Sequence, residues 1–180
     1  MGDVLRTRID ADLVLEGEPE PEFVPGVAAT FPRKRVSAAV LVRDAGGRVL
    51  LLEQSYRSTW GLPGGVLEDD EPPLTGVLRE LREELGVEWP VGRMLAVDWA
   101  PRHGVWGDAV HFLFDGGVVD ARDVAGFRLE PGEIDAVHLV EPAAVGAHTR
   151  PSLARRVAAG LDAVATGRTH LLTFGRRMES

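Results

Sequence analysis

Residues 64–87 constrain the fold of this chain more than any other segment. Pro72 and Pro73 fit the first turn of a helix, where a missing backbone N–H costs nothing. Gly86 is typical of the position just past a helix C-terminus. The sequence between them predicts one helix with an apolar stripe that packs on a sheet, formed by Leu74, Val77, Leu78, Leu81 and Leu85.

The same predicted helix carries an acidic face. Glu80, Glu83 and Glu84 stand at positions i, i+3 and i+4, which places their carboxylates on one side of the helix. Like charges at this spacing destabilise a helix by about 0.2–0.5 kcal/mol per pair. On this helix alone, a solvated charged face remains an open interpretation. A hard divalent cation is the alternative, because clustered carboxylate oxygens are the ligands that Mg²⁺ and Mn²⁺ prefer.

Two adjacent glycines precede this helix. Gly64 and Gly65 follow residues 60–63 in a segment whose sequence predicts a strand or a turn. Because glycine has no Cβ, the backbone there can approach a ligand closely, and the Gly64 carbonyl could complete a cation shell. Taken alone, the glycines are equally compatible with an ordinary tight turn.

The flanking sequence predicts a mixed α/β domain. An apolar hairpin surrounds the turn at 44–47, and a helix that ends at Gly167 closes the domain. Strands before and after the acidic helix predict a mixed sheet with helices on its faces. The predicted strands are 36–42, 48–53, 91–99, 109–114 and 136–140, and the last helix is 152–165.

The predicted domain covers residues 33–166, with an extension on either side. Residues 1–32 form an N-terminal extension with an acidic linker at 16–22. A partly ordered extension and a pair of strands used in homodimerisation are two interpretations of this segment. Residues 167–180 are interpreted as a C-terminal tail.

Composition restricts the partners of the chain. The net charge of −8 argues against a nucleic-acid partner, which requires a basic surface. The absence of cysteine excludes disulfides, thiolate metal sites and cysteine nucleophiles, and it favours a cytoplasmic location. No apolar run approaches the roughly 20 residues of a membrane-spanning helix. These features argue against a nucleic-acid partner and a membrane partner.

Residues 65–87 resemble the motif of the Nudix hydrolase family, which is related to MutT. The family pattern is Gly-x5-Glu-x7-Arg-Glu-U-x-Glu-Glu-x-Gly-U, where U is a bulky aliphatic residue. The chain matches it without a gap at Gly65, Glu71, Arg79, Glu80, Leu81, Glu83, Glu84, Gly86 and Val87. The resemblance implies the Nudix αβα sandwich across about 33–166.

The resemblance also implies hydrolysis of a diphosphate linkage with Mg²⁺, for which Mn²⁺ is a possible substitute. In that case Glu80, Glu83 and Glu84 are metal ligands and act in catalysis, assisted by the backbone carbonyl of Gly64.

The resemblance gives further roles to an arginine and to acidic residues. It implies that Arg79 orients a glutamate through an ion pair, with Glu71 as a second partner. The general base of the family is either a helix glutamate or a glutamate on a later loop. In this chain the later loop offers Glu133 as the first choice and Glu130 as the second, and a plain surface turn is the alternative for both.

Substrate-binding residues are expected in loops around the motif. Arg57 and Arg102 are candidates for contacts with phosphates. Trp99 and Trp106 are candidates for stacking on a base, although packing at the rim of the core is the alternative. Pro101 falls where Nudix ADP-ribose pyrophosphatases carry a proline. This position favours a nucleoside diphosphate linked to a group X, such as ADP-ribose or a nucleotide sugar.

Two other functions remain open at this point. One is a pyrophosphohydrolase of normal or oxidised nucleoside triphosphates. The other is a non-catalytic Nudix domain that senses a nucleotide, although such domains tend to lose motif glutamates that this chain keeps.

Overall fold

The computed structural model of the protein describes residues 2–18 and 21–178, which belong to two compact units. The first unit ends at Arg33 and the second begins at Lys34. Within the described residues, no helix is long and apolar enough to cross a membrane.

In the part of the first unit that the structure describes, the regular secondary structure is helical. Helix α1 spans Gly2–Glu16, and a 3-10 turn follows at Ala28–Thr30. The interpretation of this segment as a pair of strands is therefore wrong. Its loose alternation also contains a helical spacing, since Ile9 and Leu13 stand four residues apart. Residues 19 and 20 of the acidic linker lie outside the described residues, and dimerisation through this unit stays a prediction.

The second unit contains an eight-stranded mixed sheet. The strand order is β6-β2-β1-β5-β4-β7-β8, and β3 pairs with β1. The pairs β1–β5 and β4–β7 are parallel, and the other pairs are antiparallel. The strands are β1 Arg35–Asp44, β2 Val49–Gln54, β3 Gly64–Val66, β4 Met94–Ala100, β5 Ala109–Val119, β6 Ile134–Val140, β7 His170–Thr173 and β8 Arg176–Arg177.

Helices pack on both faces of this sheet. The helices of the unit are α2 Pro73–Leu85, α3 Ala121–Gly126, α4 Val145–His148 and α5 Pro151–Thr166. Val40 and Leu52 pack with Leu81 of α2 in one core, and Leu41 and Leu113 lie in the core on the α5 face. The predicted α/β fold with a mixed sheet flanked by helices is confirmed.

The alternation of side-chain direction along the strands explains why the sheet has a core on each face. Successive residues of β1 and β2 point to opposite faces, so a strand buried on both sides reads as a continuous apolar run. On the α5 face, a Cβ at Gly160 would stand 2.7 Å from Leu113 Cδ2, so glycine lets the helix approach the sheet. The hairpin, the later strands and both long helices are confirmed within a few residues, and Gly86 and Gly167 end their helices with φ of 66° and 73°.

The C-terminal residues contain two strands that the sequence analysis missed. Strand β7 pairs with β4, and the turn after it is tied to the core by Asp98. The Asp98 carboxylate is 0% exposed; it accepts a hydrogen bond from the Gly175 N–H at 2.9 Å and forms an ion pair with Arg156 at 2.7 Å. This buried pair therefore joins β4, α5 and the β7–β8 turn.

We expect Asp98→Leu to destabilise the fold by about 3–5 kcal/mol, because it leaves the Arg156 charge buried without a partner. The double variant Asp98→Leu/Arg156→Met should recover most of this loss, since it removes both charges. Urea unfolding monitored by circular dichroism measures both values. A single variant within about 1 kcal/mol of the wild type would show that the pair is not a structural anchor.

Candidate active site

Helix α2 presents its acidic residues to strand β3. Val77, Leu81 and Leu85 are buried against the sheet and fix the rotation of the helix about its axis. In that orientation, Glu80 and Glu84 lie against the two glycines that begin β3.

Glu84 is a buried carboxylate with a backbone partner. Its side chain is 1% exposed, and its Oε2 accepts a hydrogen bond from the Gly64 N–H at 2.7 Å. Burial raises the pKa of Glu84 to about 8, because desolvation disfavours the charged form. The bond from Gly64 opposes this increase, whereas the nearby charges of Glu80 and Glu133 add to it.

Glu80 lies directly on the backbone of Gly65. A Cβ at Gly65 would overlap the Glu80 carboxylate. Only glycine at this position therefore allows the carboxylate to stay where it is. Burial raises the pKa of Glu80, and the positive charge of Arg79 opposes that increase. The glycine of the motif therefore serves as a cradle for an acidic side chain.

Arg79 joins the other motif glutamates. Its Nε and Nη2 donate to the two oxygens of Glu71, each at 3.0 Å, and its Nη1 donates to Glu80 at 3.0 Å and to Glu83 at 2.8 Å. The hydrogen bond from Arg79 lowers the pKa of Glu71. Glu71 also accepts the Glu68 N–H at 2.9 Å, so Arg79 holds the loop before α2 to the helix.

Two loops bring further charges to the carboxylates. The negative charge of Glu133 raises the pKa of both Glu80 and Glu84, and the positive charge of Arg57 lowers that of Glu84. Glu130 contacts the end of α2 through its backbone, since its N–H donates to the Glu84 carbonyl at 3.3 Å. Glu133 is thus the loop glutamate whose charge acts on both helix carboxylates.

The remaining candidates lie near the end of β4 and in the loop between β4 and β5. Trp99 is exposed, and its Nε1 donates to Asp108 at 3.2 Å. Trp106 is exposed, with the guanidinium of Arg35 4.9 Å from its ring centre. Arg102 is also exposed. Within residues 21–178, no hydrogen bond, ion pair or ring contact joins Trp99, Trp106 or Arg102 to the carboxylates.

The donor set of this cluster fits a hard divalent cation in its chemistry. Glu80 and Glu84 flank the two glycines, and Glu83 is the third carboxylate of the same helix. Across residues 2–18 and 21–178, no three acidic or histidine side chains converge closely enough to enclose a metal ion. Glu83 is turned to Arg79, so a shared cation requires Glu83 to release that arginine.

Comparison of the sequence with known proteins places the chain in a family. The sequence model of the NUDIX domain matches residues 33–160. A MutT-like protein of Streptomyces ambofaciens is 44% identical over 73 residues, which are 41% of this chain and 47% of that protein. A CTP pyrophosphohydrolase of Escherichia coli K12 is 42% identical over 65 residues, which are 34% of this chain and 47% of that protein. The chain thus spans about half the length of these relatives.

A solved structure shows the same fold. The MutT protein from Methanosarcina mazei Go1 superposes with a TM-score of 0.60 at 26% identity. The superposition covers 75% of this chain and 99% of that protein.

The raised pKa of Glu84 predicts a pH dependence of stability in the metal-free protein. The folded state holds this proton up to about pH 8, whereas the unfolded chain releases it near pH 4.5. Below pH 4.5 both states are protonated, so the cost of the buried charge develops between pH 4.5 and 8. We therefore expect Glu84→Gln to match the wild type at pH 4 and to exceed its stability at pH 8 by roughly 2–4 kcal/mol.

Urea unfolding in the presence of a chelator, at several pH values, measures this difference. Glu88→Gln is the matched control, because Glu88 is exposed and pairs with Arg82 outside the cluster. Equal pH profiles for Glu84→Gln and the wild type would contradict the prediction.

Proposed function

The chain belongs to the Nudix family; we propose that it is a hydrolase of phosphorus-containing anhydrides, that it depends on Mg²⁺ and that it cleaves the diphosphate bond of a nucleoside diphosphate linked to a group X. One observation carries this proposal. A buried Glu84 bonded to Gly64 lies beside a Glu80 cradled by Gly65, and burial, together with the nearby charge of Glu80, disfavours the charged form of Glu84. A bound cation opposes that effect.

Glu80, Glu83, Glu84 and the Gly64 carbonyl would hold the metal ion. When bound, Mg²⁺, or Mn²⁺ in its place, neutralises phosphate oxygens and stabilises the charge that develops on the leaving oxygen. The all-oxygen donor set supports this choice of metal.

The other charged residues act on the substrate and on the water. Arg79 holds Glu80 and Glu71 in place through its hydrogen bonds, and it releases Glu83 to the metal ion. Glu133 takes a proton from the attacking water, with Glu130 as the second candidate for this base. Arg57 binds a phosphate, which its position near Glu84 supports.

The loop between β4 and β5 contributes to substrate selection in this proposal. Arg102 contacts the second phosphate or the group X, and Trp99 or Trp106 stacks on the base. The exposure of both rings supports this role, since each offers apolar surface to a ligand. ADP-ribose and nucleotide sugars are the preferred substrates.

A nucleoside triphosphate pyrophosphohydrolase is the second candidate function. The 65-residue segment that is similar to the CTP pyrophosphohydrolase favours this function. The product distinguishes the two functions, because a triphosphate releases pyrophosphate and a nucleoside diphosphate–X releases a mononucleotide and phosphorylated X.

Product analysis over ADP-ribose, UDP-glucose, CTP and oxidised dGTP, with and without Mg²⁺, tests the substrate class. We expect Mg²⁺-dependent release of a mononucleotide from ADP-ribose or UDP-glucose at a kcat/KM above that for the triphosphates. Release of pyrophosphate from a triphosphate as the dominant reaction would establish the second candidate. The absence of turnover on the whole panel would contradict both.

Substitution of the helix carboxylates tests the assigned residues. Glu83→Gln and Glu84→Gln should each lower kcat by about 100-fold or more, because each removes a charge that holds the cation. Glu88→Gln should leave kcat unchanged, since Glu88 lies outside the cluster and pairs with Arg82. Near-normal turnover by either cluster variant, with the fold intact by circular dichroism, would rule out the assignment.

A further inference from the structure

Gln54 is a buried residue whose side-chain oxygen lacks a hydrogen-bond partner among the described residues. It is the only glutamine in the sequence, which contains no asparagine, so it is the only carboxamide side chain of the protein. The residue is 5% exposed, and its Oε1 has no hydrogen-bond partner among the residues that the structure describes. An unpaired buried amide oxygen destabilises a fold, which indicates that a molecule outside the chain satisfies it.

The side chain of Gln54 projects toward the face of the sheet that carries the glutamates. Gln54 is the last residue of β2 and follows Leu50 and Leu52 at alternate positions. Both leucines lie in the core formed with α2, whereas Glu53 points to the other face and bonds His138.

The loop that carries the candidate base lies before β6 and forms backbone hydrogen bonds with the end of α2 and with the end of β2. At one end, the Glu130 N–H donates to the Glu84 carbonyl at 3.3 Å. At the other end, the Ser55 N–H donates to the Glu133 carbonyl at 3.0 Å, and Gln54 pairs with Ile134. Gln54 is therefore at the point where β2, this loop and the acidic end of α2 meet.

Gly61 lies against the amide of Gln54. A Cβ at Gly61 would stand 3.3 Å from Gln54 Oε1, tighter than most contacts of real Cβ atoms. The backbone of Gly61 is fixed by two hydrogen bonds to Leu52, and three residues later Gly64 donates to Glu84. The amide and the glutamate thus lie along the same short stretch of backbone.

We propose that Gln54 is a positioning residue for the attacking water of the hydrolysis, with its Oε1 accepting a hydrogen bond from that water beside Glu84 and Glu133. The inference rests on the proposed function of the same site. A water molecule satisfies the buried oxygen, and the backbone bonds of the loop bring Glu84 and Glu133 to the same end of β2.

This hydrogen bond directs one proton of the water toward Gln54 and leaves an oxygen lone pair free to face the diphosphate. The water oxygen bonds to one phosphorus, and the proton that it loses passes to a carboxylate of the cluster. The bridging P–O bond breaks, and the bridging oxygen leaves with the other phosphate. Gln54 itself gains and loses no proton.

Gln54→Met tests the proposal, because methionine keeps the length and unbranched shape of glutamine and removes the amide. The matched control is Leu52→Met, a volume-conserving change on the same face of β2, two residues away. Steady-state kinetics of the full chain with ADP-ribose, UDP-glucose and CTP are measured together with the thermal midpoint of each variant.

The proposal expects kcat of Gln54→Met to fall about tenfold or more, with KM changed less than about twofold and the thermal midpoint equal to or above that of the wild type. Leu52→Met should retain kcat. An unchanged kcat in Gln54→Met overturns the proposal, and so does a thermal midpoint below that of Leu52→Met, since the amide would then be structural. The thermal midpoints can be compared without turnover, so they test the role of Gln54 separately from the reaction. An inactive wild type would contradict the proposed function but not the thermal comparison.

Discussion

The rest of the site depends on one hydrogen bond, from the Gly64 N–H to the buried carboxylate of Glu84. It joins the C-terminal half of α2 to strand β3, and β3 in turn pairs with β1 in the middle of the sheet. Burying this carboxylate raises its pKa, and a single backbone donor does not reverse that effect. The core around Leu81 and Leu85 fixes the helix at this position, so its packing offsets the unfavourable burial of the Glu84 carboxylate.

Charge distribution around α2 separates the structural glutamates from those available to a ligand. Arg79 pairs with Glu71 through two bonds and keeps it ionised, as expected for a carboxylate that holds a loop. Glu80 and Glu84 are instead desolvated, and their pKa values are raised. The carboxylates with raised pKa values are those beside the glycine backbone, and such perturbed groups are typical of functional sites.

Sequence patterns predicted the elements with strong local signals. The proline start, apolar stripe and glycine end of α2 identified that helix, and the motif placed Glu80 and Glu84 beside the glycines. The short strands β7 and β8 were missed, and the segment of β3 was predicted only as a strand or a turn, because these strands depend on pairing with distant strands and on the Asp98 anchor. The loose alternation in residues 3–15 suggested strands where a helix forms. Gln54 gave no motif signal, since its importance arises from burial at the end of an apolar strand.

Calorimetric titration of the metal-free protein with Mg²⁺ at pH 7, in buffers of different ionisation enthalpy, tests the central claim most directly. It measures both the affinity and the number of protons that leave on binding. Because Glu84 is mostly protonated at pH 7, the account predicts saturable binding with release of about one proton, and weaker binding with no such release in Glu84→Gln. No binding of Mg²⁺ or Mn²⁺, or equal proton release by the two proteins, would contradict it.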